Sequence, residues 1–187
     1  RKLYRGGPML LVSNHQSLFD IPAAFMIRGI PHLRMVAKKE LFAIPIFGWV
    51  LSRAHFISVD RNSRNSGMAA SSEMKKKLAK GICVWIAPEG TRSPNGELKS
   101  FRKGSFAVAM DAGIPVQPIV VWNSYLSCPK GSLLPRPGTK IVVEILDPIE
   151  PSHPAFSDRG TLCEETRSRM EKALQLARKE HPSLFSV

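Results

Sequence analysis

Short, unbroken apolar runs recur along this chain, each closed by turn-forming residues and separated from the next by a stretch with helical spacing. Ile82 to Ala87 is the clearest run: it has no polar alternation and ends in Pro88-Glu89-Gly90. A run without a polar face fits a strand covered on both sides, as in a parallel sheet with helices above and below. Met9 to Ser13, Leu33 to Ala37, His55 to Val59, Val116 to Trp122 and Lys140 to Leu146 are the other strand candidates. Between them lie helical patterns. One starts at Ser17 or Asp20 and runs through Ile27 to a stop at Gly29. A second spans Gly67 to Lys80, with Ala70, Met74 and Leu78 on one face and Lys75, Lys76, Lys77 and Lys80 around the other. A third, Gly104 to Ala112, is closed by Gly113. A terminal helix, with Met170, Ala173 and Ala177 on one face, follows the capping-box spacing of Thr161-Leu162-Cys163-Glu164. This alternation predicts an α/β class, with a mainly parallel or mixed central sheet flanked by helices. At 187 residues, without internal repeats, it predicts a single domain over 1–187. Pro118 inside an apolar run predicts an edge strand or a broken ladder, and 123–139, rich in Pro, Gly and Ser, reads as a long loop.

Charge narrows the partners. Twenty-seven Lys and Arg against fifteen Asp and Glu leave a formal +12, an attractive field for polyanions such as phospholipid headgroups, phosphorylated metabolites or nucleic acid. The aromatics are few and sit mostly in apolar runs, with no stacking platform or helix-turn-helix pattern, which argues against nucleic acid. Cys83, Cys128 and Cys163 are odd in number and widely spaced, so neither a disulfide framework nor a metal or redox pair is expected, and the setting is a reducing one. The longest apolar stretch, Leu41 to Leu51, is about half of the roughly 20 residues a spanning helix needs, and Pro45 and Gly48 interrupt it. With Lys38 and Lys39 beside it, the stretch is suited to lining an apolar channel, dipping into a membrane interface or forming plain core.

Two segments carry candidate chemistry. In Asn14-His15-Gln16-Ser17-Leu18-Phe19-Asp20, a histidine at a strand end precedes a carboxylate on the first turn of a helix. That spacing folds Asp20 back onto His15, fixing the ring tautomer and leaving the other nitrogen free to take a hydroxyl proton. Alone, such a pair more often means a surface histidine and a helix cap. Ala87-Pro88-Glu89-Gly90-Thr91-Arg92-Ser93 leaves a buried strand by a tight turn that offers backbone N–H groups, a hydroxyl and a guanidinium together, the parts of a phosphate site. Phe56 to Arg61 ends another strand with a second arginine, and Arg64 follows. Ionised Glu89 repels a phosphate, so orienting Arg92, bonding a substrate hydroxyl or shaping the turn are its available roles. Ser17 lacks the GxSxG elbow of a nucleophile and suits a helix cap, and Cys83 in its apolar run reads as a buried, inert thiol.

His15 with Asp20, Phe56 to Arg61, Pro88 to Ser93, and Val116 to Val120 around Pro118 occur in the order and at the separations of the four motif blocks of the 1-acyl-sn-glycerol-3-phosphate acyltransferases. The chain resembles that family over nearly its whole length, including Ile44 to Trp49 and Phe101 to Phe106, and departs from it at Ser52-Arg53-Ala54-His55, where a glycine is expected. The resemblance implies a glycerolphosphate-acyltransferase-like fold. It implies transfer of a fatty acyl group from acyl-CoA or acyl-acyl carrier protein to the sn-2 hydroxyl of lysophosphatidate, giving phosphatidate, with no bound cofactor and no metal. His15 is then the base and Asp20 its partner. Arg61, Glu89, Gly90, Thr91 and Arg92 form the glycerol-phosphate site, Pro118 marks the acyl site, and Phe47 and Trp49 line that site or the interface. It further implies association with a phospholipid surface on the cytoplasmic face and a membrane segment ahead of Arg1. The competing expectations are a sibling enzyme for glycerol 3-phosphate or another lysolipid, or a non-catalytic lipid-binding or nucleic-acid-binding protein.

Overall fold

The computed structural model describes residues 2–30, 32–60, 62–129, 131–132 and 134–182. Six strands, β1 (Leu10–Ser13), β2 (Arg34–Lys38), β3 (Ile57–Val59), β4 (Val84–Ile86), β5 (Val116–Trp122) and β6 (Val142–Ile145), form one sheet in the order β3-β2-β4-β1-β5-β6. The first five strands in this order are parallel to one another and β6 is antiparallel to β5. The expected mainly parallel α/β sheet is therefore present, with its strands within a residue or two of the apolar runs.

Alternate residues explain why those runs lack a polar face. Leu10 and Val12 of β1 pack into one core with Val84, Ile86, Val116 and Val120. Met9 and Leu11 pack into a second core with Met35, Cys83, Trp85 and Ile119. The first is covered by α4 (Arg64–Ala79), α5 (Gly104–Ala112) and α7 (Arg159–Glu180), which contribute Met74 and Leu78, Phe106, and Met170 and Leu174. The second is covered by α1 (Asp20–Phe25) and by the partly buried Leu41 and Phe42 of α2 (Lys39–Phe42), while α3 (Phe47–Arg53) lies farther out. Gly113 closes α5 in the left-handed conformation, the C-terminal signal read from the sequence.

Four local expectations need correction. Pro118 lies on an interior strand, paired with Val12 on β1, so the edge alternative fails. The broken-ladder alternative holds: the antiparallel register covers Ile119 to Trp122 and resumes only as a lone bridge between Val116 and Ile149. Val121 donates towards β1 and Val116 away from it, so the period of two turns Pro118's missing N–H to the side where the ladder is interrupted. Second, α7 begins earlier than Thr161: Asp158 caps it by accepting from the N–H groups of Gly160 and Thr161. Third, 123–139 is not wholly loop, because Ser124–Ser127 forms a short helix, α6, entered through Asn123 at φ +63°. Fourth, Ser17 is not the cap of α1; Phe19 holds that position without a side-chain bond, and the Ser17 hydroxyl donates to the Cys128 carbonyl at 2.9 Å.

Candidate active site

Where β1 ends, its ladder continues through a side chain. The Asn14 amide donates to the Val121 carbonyl and accepts from the Val121 N–H, both at 2.8 Å, replacing the backbone pair lost as the chain turns away. His15 is thus delivered to the carboxyl end of the sheet. Asp20, fully buried at the start of α1, takes three hydrogen bonds on Oδ2: from His15 Nδ1 at 2.8 Å and from the N–H groups of Gln16 at 2.7 Å and Ser17 at 2.9 Å. Its other oxygen, Oδ1, accepts from the Ser124 hydroxyl at 2.5 Å. With the carboxylate as acceptor, Nδ1 carries the proton and Nε2 keeps a lone pair. The sequence spacing between His15 and Asp20 therefore produces the contact expected of it.

The adjacent strand β4 ends in the second motif, and that turn grips the His15 backbone from both sides. Glu89 Oε1 accepts the His15 N–H at 2.8 Å, and the Ser93 N–H donates to the His15 carbonyl at 2.7 Å. Glu89 Oε2 accepts the Lys99 N–H at 3.2 Å. Burial raises the Glu89 carboxyl to about pKa 7, opposed by those two N–H groups and by the Lys99 charge. Glu89 is only 6% exposed and its carboxylate faces inward. It ties this turn to His15, rather than orienting Arg92. Gly90, at φ +72°, turns the chain, and a Cβ there would come within 2.9 Å of Arg102 Nε. The left-handed φ favours glycine, while the flexible Arg102 side chain would have to shift to admit a larger residue.

His15, Gly90, Thr91 and Arg92 line one cleft of about 460 Å³, within the size range of small-molecule sites. Nη1 of Arg92 is buried and donates to no acceptor among the described residues. Lys38 and Arg102 add cationic lining, and Leu18, Ile21, Met35, Leu41 and Trp85 form an apolar wall. Of these, Arg102 was not singled out by sequence reasoning as a site residue, although it lies in the recognisable Phe101 to Phe106 segment. Arg61 lies outside the described residues. Phe47 and Trp49 do not line the cleft; they are 43% and 66% exposed on α3. Pro118 is buried in the sheet. Cys83 is buried and its thiol is pushed up by burial, as an inert thiol should be. Among the described residues, no cluster of His, Cys, Asp and Glu is arranged to hold a metal ion.

Comparison with known proteins places this geometry. Residues 1–122 match the family model described as Acyltransferase. A chloroplastic 1-acyl-sn-glycerol-3-phosphate acyltransferase of Arabidopsis thaliana is 32% identical over 90% of this chain and 46% of its own length. The chain thus spans about half the length of that relative. The 1-acyl-sn-glycerol-3-phosphate acyltransferase of Escherichia coli is 31% identical over 93% of this chain and 70% of its own. The crystal structure of the 1-acyl-sn-glycerophosphate acyltransferase PlsC from Thermotoga maritima superposes with a TM-score of 0.78 at 30% identity, covering 95% of this chain and 69% of that one. Similarity of sequence over most of the chain agrees with similarity of fold, and the chain belongs to the 1-acyl-sn-glycerol-3-phosphate acyltransferase family.

Proposed function

We propose that this protein transfers a fatty acyl group from the thioester of acyl-CoA or acyl-acyl carrier protein to the sn-2 hydroxyl of 1-acyl-sn-glycerol 3-phosphate, giving phosphatidate. The observation that carries this reading is the shared cleft: His15, with Nδ1 committed to Asp20, and Arg92, with an unpartnered buried nitrogen, line the same space. Nε2 of His15 takes the acceptor's hydroxyl proton as that oxygen attacks the thioester carbonyl. The carbon–sulfur bond then breaks, and the proton passes to the departing thiolate. Asp20 stabilises the imidazolium formed in between. Arg92 holds the acceptor phosphate with its planar fork, the Gly90–Thr91 turn adds polar contacts, and Arg61 contributes a second guanidinium. Glu89 acts by holding the turn against His15. The apolar wall suits the acyl chains, and no protein nucleophile takes part.

The same reading places the protein on a phospholipid surface at the cytoplasmic face. No helix among the described residues is long and apolar enough to cross a membrane. The exposed Ile46, Phe47 and Trp49, near Lys38, Lys39 and Arg53, suit α3 to shallow insertion beside anionic headgroups, which favours the interface role for Phe47 and Trp49 over the acyl channel. Pro118 serves as the buried strand position described above, with no role assigned to it in the chemistry.

An acceptor panel tests the function. Purified protein is given acyl-CoA or acyl-acyl carrier protein with 1-acyl-sn-glycerol 3-phosphate, glycerol 3-phosphate, or a lysolipid without a phosphate monoester. The expected result is the highest kcat/KM with 1-acyl-sn-glycerol 3-phosphate. Preference for glycerol 3-phosphate, or for the acceptor lacking the monoester, overturns the acceptor assignment.

A further inference from the structure

Asp20 is held unevenly. Three donors, all from residues 15–17 of its own turn, reach Oδ2. Oδ1 has the Ser124 hydroxyl, from a segment 104 residues away in sequence. The three donors on Oδ2 already restrict rotation about the terminal torsion; the donor on Oδ1 adds a restraint from a distant segment and satisfies a buried oxygen that the turn itself does not reach. We propose that Ser124 is a positioning residue of the His15–Asp20 pair, its hydroxyl locking the Asp20 carboxylate in the plane that receives the His15 Nδ1–H.

Ser124 is built for this task. It is fully buried, so water does not stand in for its hydroxyl. The hydroxyl has one proton and two acceptors in reach, Asp20 Oδ1 at 2.5 Å and Gln16 Oε1 at 3.3 Å, and the shorter, charge-assisted contact takes it. Its backbone is set by Asn123 in the left-handed conformation, which asparagine tolerates better than most residues, and the Ser17–Cys128 bond docks the end of α6 on the same turn. Ser124 also lies two residues beyond the end of the matched family region.

The kinetic part of this inference rests on the proposed acyl transfer; the structural part does not, and the test separates them. In substrate-free protein labelled with 15N-histidine, the His15 Nδ1–H resonance reports its bond to Asp20. Ser124→Thr keeps the hydroxyl and is expected to keep the low-field resonance. Ser124→Ala is expected to shift it upfield and broaden it. With 1-acyl-sn-glycerol 3-phosphate and a radiolabelled acyl-CoA, Ser124→Ala should lower kcat about 10- to 100-fold with KM unchanged, the range for losing one hydrogen bond to a charged group. Ser124→Thr should restore it. In an Asp20→Ala background the same substitution should cost nothing further, whereas a residue that only anchors α6 would cost as much in both backgrounds. A parental His15 resonance in Ser124→Ala, or an equal kcat loss with and without Asp20, overturns the proposal. If Ser124→Ala does not fold, Ser124→Cys, close in size and a weak donor, takes its place with the same expectations. The expected resonance shift in a protein whose parent does not acylate the lysolipid would leave the positioning role standing and reject the function.

Discussion

The His15–Asp20 turn and the outer helix α3 break the same rule in opposite directions. Ser13, Asn14, Gln16, Ser17 and Asp20 are polar and buried; Ile46, Phe47 and Trp49 are apolar and exposed, Ile46 by 81%. Inside, every inversion is balanced within the molecule. Ser13 accepts from Trp85 Nε1, Asn14 pairs with Val121, Gln16 donates to Gly96, Ser17 donates to Cys128, and Asp20 takes its four donors. Outside, the apolar side chains stay largely uncovered, with the Arg53 guanidinium 5.9 Å over the Trp49 ring, and Ile46 sits at φ +64° in a tight turn closed by Phe47 N–H to Pro45 C=O, a costly conformation for a β-branched residue. On the proposed function, the buried polar set holds the geometry that acyl transfer uses, and the exposed apolar set is the face a phospholipid surface would cover.

The comparison breaks most visibly at His15. His15→Ala should lower kcat by about 10³-fold or more while the protein stays folded, because its backbone N–H and C=O, rather than its ring, hold the neighbouring turn. Steady-state rates with circular dichroism check both halves, and a folded variant retaining a tenth of parental turnover would detach the buried set from chemistry. Glu89→Gln sharpens the balance by titration. A carboxyl raised from 4.5 to about 7 binds its proton more tightly in the folded state, so its contribution is fully present below pH 4.5 and is lost as pH rises through 7. Across that window the parent should lose about 3 kcal/mol relative to Glu89→Gln, read from urea denaturation at several pH values. A constant difference between the two proteins would place the Glu89 carboxyl near its ordinary value. Arg92→Lys keeps the charge and loses the fork, so KM for the phosphate-bearing acceptor should rise about tenfold with little change for the acyl donor. Equal losses for acceptors with and without phosphate would remove Arg92 from the phosphate site. The smallest expected effect belongs to the outer set. Phe47→Ser with Trp49→Ser should leave thermal stability within about 0.5 kcal/mol, as exposed positions do, yet reduce the binding to anionic vesicles that survives high salt. Basic residues add about 1 kcal/mol each at such a surface and are screened over roughly 10 Å, so low-salt binding should persist in the double variant. Unchanged binding at all salt concentrations would return α3 to a purely structural role.

What the sequence disclosed follows from how local each signal is. The helix Gly104–Ala112 with its Gly113 stop and the strand Val116–Trp122 were readable at their observed limits, because their punctuation lies within the segments themselves. The His15–Asp20 contact was equally readable, being a matter of five residues. Asp158 was missed as the cap of α7 because Thr161 offered a competing motif three residues on, and α6 was missed because its Ser-rich, polar surroundings resemble loop. Glu89 had its position right and its partners wrong: the N–H groups it accepts belong to backbone 74 and 10 residues away, which no side-chain pattern records. The Ser124 contact was invisible for the same reason, since it depends on a carboxylate that the first turn of α1 brings in from 104 residues away.

The Asn14 side chain that prolongs the β1 ladder has a consequence for the order in which this molecule can be assembled. Its partner, Val121, is 107 residues downstream, and the Cys128 carbonyl that receives the Ser17 hydroxyl is 111 residues beyond that serine. Closing loops of that length delays the contacts that depend on them. An emerging polypeptide carries His15 and Asp20 early, yet any amino-terminal piece ending before Cys128 lacks the full set of ties around them. The His15–Asp20 pair is secured by residues made more than a hundred positions later, so partial chains on the ribosome, or proteolytic remnants that end ahead of Cys128, would carry both motif residues without the clamp that holds them in register.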